Sequence, residues 1–177
     1  MGSVTVTHLI GTVSLMTIFL SVGAYYSMSI ASLKNEVITT QLSRIANYVG
    51  SDIVDLVSLC YISESDQFIV KNLTLPTGLT AYGYDLAIEE MSQSFRVQAY
   101  LISESEVLGE YILPWSTESN IRIYNGSYDE VESDLYERYS IIADTLVYSG
   151  DPSIGVWCVK IGDQITIGLW TTELDET

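Results

Sequence analysis

The chain has 177 residues and a formal charge of −16, and all 23 acidic and 7 basic residues lie at or after Lys34. That leaves room for one domain of ordinary size behind an uncharged front segment. An acidic surface of this strength repels nucleic-acid phosphates and anionic lipid headgroups, so nucleic acid is excluded as a partner and the charged part should stand off a membrane surface.

The front segment runs from Val4 to Leu33 without a Lys, Arg, Asp or Glu. A cleaved secretory signal peptide does not fit it. No basic side chain precedes the segment, the apolar stretch is about twice the usual length, and no small-residue cleavage site closes it. Its length is sufficient for a transmembrane helix. Hydroxyl residues are scattered through it, and small residues recur four apart: Ser3, Thr7 and Gly11 on one line, Gly23, Ser27 and Ala31 on another. Small residues at that spacing let a second helix approach closely. The expected helix–helix core is Leu9, Ile10, Gly11, Val13, Leu15, Met16, Ile18, Phe19, Leu20, Val22 and Gly23. His8, the only histidine of the chain, reads as a polar residue at a membrane interface or a subunit contact.

After Leu33 the helical pattern continues with a different character. Apolar residues fall at Ile38, Leu42, Ile45, Val49, Ile53, Leu56 and Cys60, in steps of four and three, which is one stripe of an amphipathic helix. The opposite side carries Lys34, Gln41, Arg44, Asn47 and Asp55, and Gly50 is the one weak position. Residues 4 to 60 together predict a single helix on the order of 85 Å long at about 1.5 Å per residue, well beyond the roughly 30 Å of a bilayer core. Residues 1–60 thus form a long N-terminal helix. Its apolar half, 4–33, is to be buried on all sides, and its amphipathic half, 34–60, packs one face on the domain at 61–177.

Beyond Tyr61 the period falls towards two. Strands are expected at Phe68–Leu75, Leu79–Ile88, the alternating "SFRVQAYLIS", Val107–Trp115, Ile121–Tyr124, Ile141–Tyr148, Ile154–Ile161 and Gln164–Thr171. Turn signals separate them at Pro76-Thr77-Gly78, Asn125-Gly126, Gly150-Asp151-Pro152 and Gly162-Asp163, the last reading as a hairpin. Seven or eight short strands at this spacing predict an antiparallel β-sandwich and an α+β fold class. Asp129–Arg138 reads equally as a long loop or a short helix.

Chemistry-bearing motifs are few. There is no G-x-S-x-G, no H-E-x-x-H and no P-loop, and a histidine-dependent triad is impossible in the charged domain. Glu89, Glu90, Glu104, Glu106 and Glu110 could supply a carboxylate pair, but acidic residues at this density read as a solvated face. The expectation is no enzyme, no metal and no cofactor. Asn72 and Asn125 head N-x-S/T sequons and are N-glycosylation candidates in expected loops. Cys60 and Cys158 are too few and too far apart for a zinc cluster, which leaves a disulfide or two buried thiols.

An apolar N-terminal helix that continues into an amphipathic half on a β-sandwich resembles the type IV pilin superfamily, its archaeal pilins and archaellum subunits above all. The resemblance is one of architecture over the whole chain. It implies a pilin-like, glycosylated, cell-surface protein that is membrane-inserted before assembly. Its apolar helix then bundles with copies of itself into an extracellular helical homopolymer, with the sandwiches facing out. Two features depart from the family pattern: no basic leader precedes Val4, and the glutamate near the start of bacterial mature helices is missing. They keep open a pilin-like accessory or stator protein that stays in the membrane and binds a surface-layer partner.

Overall fold

The structure, a computed structural model, describes the backbone of residues 2–79, 82–104, 106–127 and 129–172, with the side chains of residues 2–7, 129 and 130 outside that description. The chain is α+β. Helix α1 spans Gly2–Ile62, and β1 (Gln67–Leu73), β2 (Tyr84–Glu90), β3 (Phe95–Leu101), β4 (Leu108–Ile112) and β5 (Ile121–Ile123) follow it. Helix α2 (Asp129–Tyr139) separates these from β6 (Ile142–Asp144), β7 (Leu146–Tyr148), β8 (Ile154–Ile161) and β9 (Gln164–Thr171). Two compact units divide the chain, Met1–Val37 and Ile38–Thr177.

Within the second unit, the stripe residues Ile38, Leu42, Ile45, Val49, Ile53, Leu56 and Cys60 are all buried, while Arg44, Asn47 and Asp55 are exposed. The amphipathic pattern therefore has its physical cause in the core: one side of α1 exchanges water for apolar contacts, and the other keeps its charges solvated. Assignment as helix continues unbroken through Gly50. There the missing Cβ leaves space for the ring of Tyr111 in β4, and Gly109 of the same strand lies against the α1 backbone at Leu42 and Ser43. A side chain at Gly109 would prevent that approach.

The strands form two sheets. One runs β1-β8-β9-β5, with β6 also on β9, and the other runs β4-β3-β2-β7. Inward residues of both, such as Leu86, Val97, Val156 and Ile167, share one core with the buried stripe of α1. The expected strand positions hold with three differences. Tyr84, not Leu79, begins β2, because the backbone groups of Leu79 and Tyr82 bond to each other instead of to a neighbouring strand. The stretch Ile141–Tyr148 divides at Thr145 between the two sheets, β6 pairing with β9 and β7 with β2. And the pairing is not purely antiparallel, since β5 runs parallel to β9. A three-residue strand carries no directional signal in its side-chain alternation. Its direction is set by the bonds that flank it, Tyr124 N–H to the Ile167 carbonyl and Ile165 N–H to the Asn120 carbonyl, at 2.8 and 2.9 Å.

The open alternative for Asp129–Arg138 resolves as α2. Val131 and Leu135 pack with Tyr124, Ile141, Trp157, Val159 and Trp170 in a second core on the outward side of β8 and β9. The Arg138 guanidinium stands 5.6 Å from the Phe68 ring centroid, a cation–π contact. Under α2 the tryptophans lie across the neighbouring strand on glycines, Trp170 against Gly155 and Trp157 against Gly168. Trp157 donates its indole N–H to the Leu169 carbonyl at 2.9 Å.

Candidate functional site

The candidate site is the apolar part of α1. Leu9, Ile10, Val13, Leu15, Met16, Ile18, Phe19, Leu20 and Val22 are all exposed, with Phe19 at 70% and Leu20 at 75%. Gly11 and Gly23 face open space. At about 100° per residue these positions cover every side of the helix, so no single face is distinguished. Three hydroxyls in the same stretch are turned onto the helix backbone. The Thr12 hydroxyl donates to the His8 carbonyl at 2.8 Å, Thr17 to Val13 at 2.9 Å and Ser21 to Thr17 at 2.8 Å. Each hydroxyl is thereby satisfied by its own helix, which suits a surrounding without water. The segment is long and apolar enough to cross a membrane by length and composition.

His8 sits beside Gly11, Thr12 and Leu15 at a shallow depression on the helix surface. The Ser3 and Thr7 side chains of the first small-residue line lie outside the described residues, whereas Gly23, Ser27 and Ala31 of the second are exposed. Tyr25 and Tyr26, further along, stack edge-to-face with centroids 6.4 Å apart.

The other end of α1 is held to the sheet by polar contacts that the hydrophobic period does not reveal. Asp52 is buried and accepts a hydrogen bond from the Lys71 ammonium of β1 at 2.8 Å, and its second oxygen is buried without a partner among the described residues. The Asp52 hydrogen bond raises the Lys71 pKa above its ordinary value. Lys160 of β8 donates to the Ser63 carbonyl at 2.6 Å, and the Gly162 N–H donates to the Asp66 carboxylate at 2.8 Å. Between them lie Cys60 and Cys158, both fully buried, with their sulfurs 2.9 Å apart. The Cys158 thiol donates to Cys60, which lowers the Cys60 pKa despite its burial, and Lys160 adds to the effect. The Cys158 pKa is raised by that bond and by desolvation.

The sequons take different settings. Asn125 is exposed after β5, in a turn where Gly126 adopts a φ of 82°, and the Ser127 hydroxyl donates to its side-chain carbonyl at 2.6 Å. It borders an open cleft of about 550 Å³ lined by Glu90, Phe95, Arg122 and Tyr124 among others. Asn72 is also exposed but lies in β1, not in a loop, paired with Gly155 at the sheet edge. A β-branched, alternating neighbourhood draws it into the strand. Among the described residues no group of three or more His, Cys, Asp or Glu side chains is placed to hold a metal ion. Of the acidic residues weighed above, Glu89 and Glu110 flank Arg96, with Arg96 nitrogens 2.8 and 3.5 Å from their respective carboxylates. Comparison with protein-family models, curated proteins and solved structures finds no match to this chain.

Proposed function

We propose that this chain is a structural subunit of an extracellular type IV pilus-like filament. It polymerises through the apolar half of α1, and its two sheets serve as a pilin-like β-sandwich exposed on the filament surface. The observation that carries the reading is the stretch Leu9–Leu33, uncharged and apolar around its whole circumference, with the hydroxyls of Thr12, Thr17 and Ser21 folded back on its own backbone. A helix of that kind requires an apolar surrounding on every side. A bilayer supplies it before assembly and copies of the same helix supply it afterwards. The following part of α1, from Ile38 to Cys60, is built into the core of the second unit. The role is structural rather than enzymatic, needs no cofactor, and has self and membrane as its partners.

The test is electron microscopy of material sheared from native cells, with mass spectrometry of the same fraction. Filaments in which this chain dominates are the expected result. Filaments made of another protein, with this chain left in the membrane pellet, would overturn the reading in favour of an anchored accessory or stator protein that binds the cell-surface layer.

A further inference from the structure

We propose that Cys60 and Cys158 are joined by an intrachain disulfide in the mature protein, so that the last turns of α1 are covalently bonded to the middle of β8. The two sulfurs already lie 2.9 Å apart, and both residues are wholly buried. A sulfur–sulfur bond is about 2.05 Å long, so the two sulfurs have less than about 1 Å left to close. The surrounding contacts fix the approach from both sides. Lys160 and the Gly162 N–H hold the segment just after α1, and Lys71 holds the helix eight residues before Cys60, at Asp52. The inference does not depend on polymerisation.

The chemistry is thiol–disulfide exchange with an external disulfide oxidant. Either cysteine can open the exchange as its thiolate, with the same balance of atoms, and Cys60 is taken first. The Cys60 thiolate bonds to one sulfur of the oxidant and expels the other as a thiolate. The Cys158 thiolate then attacks the Cys60 sulfur of that mixed disulfide, forming the Cys60–Cys158 bond and expelling the second oxidant thiolate. The two protons given up by the cysteines end on the two oxidant thiols, so two electrons pass from the chain to the oxidant. Neither sulfur is accessible in the finished core, so exchange takes place while the end of α1 is still docking, and the finished bond is shielded from reductants.

The bond closes a ring that contains every strand from β1 to β7. Tension entering through α1 then passes directly to β8, and from there to β9 along the eight-residue antiparallel ladder of these strands. It bypasses the strands within the ring.

The decisive experiment is peptide mapping of the full chain recovered from its native location, with thiols blocked in acid before lysis. The expected result is a Cys60 peptide linked to a Cys158 peptide, and an intact chain two hydrogens lighter than its reduced form. Both cysteines carrying the blocking label, or either linked to another molecule, would overturn the proposal. A second measurement compares the melting of the oxidised chain with that of the Cys60→Ala/Cys158→Ala variant in the same detergent. The variant should melt roughly 10 °C lower, as expected for opening so long a loop. Equal melting temperatures would overturn the anchoring role.

Discussion

Gly109 is buried in β4 opposite Ala99, with the α1 backbone at Leu42 and Ser43 directly over its Cα. The obstacle is main chain, which cannot rotate away as a flexible side chain can. Gly109→Ala should therefore destabilise the protein by about 3 kcal/mol, at the upper end for overpacking, and a urea melt followed by circular dichroism measures it. Asp85 presents the opposite case, a group whose present chemistry is unfavourable. Partial burial, then the nearby Asp151 carboxylate, raise its pKa from the ordinary 3.8. A carboxyl with a raised folded pKa holds its proton more tightly in the native state, so its contribution to stability falls as pH rises through the window above 3.8. Asp85→Asn should raise the melting temperature modestly at pH 7, and the difference should close below pH 3.8. A thermal melt series across that range is the check.

Helix α1 was legible in the sequence because every residue of its four-and-three stripe is buried. Asp52 was not, since its burial depends on Lys71, which only the fold brings to it. The Cys60–Cys158 approach is of the same kind: the two lie 98 residues apart in sequence and meet because the end of α1 lands on β8. The assembly candidates from Leu9 to Gly23 rest on the absence of charge over thirty residues, not on a contact within the chain. The second core beneath α2 did leave a signal. Ile154–Val159 and Ile165–Trp170 are buried at every position, so these strands are covered on both faces rather than alternating. Helix α2 is closed by the residue just past its end, Ser140, which takes a φ of 55° and bonds its N–H to the Tyr136 carbonyl at 3.0 Å. That left-handed closing position favours glycine. Ser140→Gly should stabilise the chain by about 0.5–1 kcal/mol, as read from the denaturation midpoint.

For the whole molecule, one prediction follows from the filament reading. Phe19→Asp places a carboxylate in the middle of the apolar segment, where an unpaired charge costs several kcal/mol in lipid or in a helix bundle. Cells producing that variant should shed no filaments containing it, as measured by immunoblot of the sheared fraction. Normal filaments would show that the helix is not their core.

The order in which the parts become available during synthesis is also constrained. Among the described residues strand β1 pairs with β8 alone, some ninety residues later, and β8 pairs on its other side with β9. The buried face of α1 is made before all of these strands, and the core it enters is complete only with Ile165, Ile167 and Leu169 of β9. Until then the stripe of α1 is only partly covered. An apolar face left partly uncovered while later strands are still being made is what holding chaperones bind.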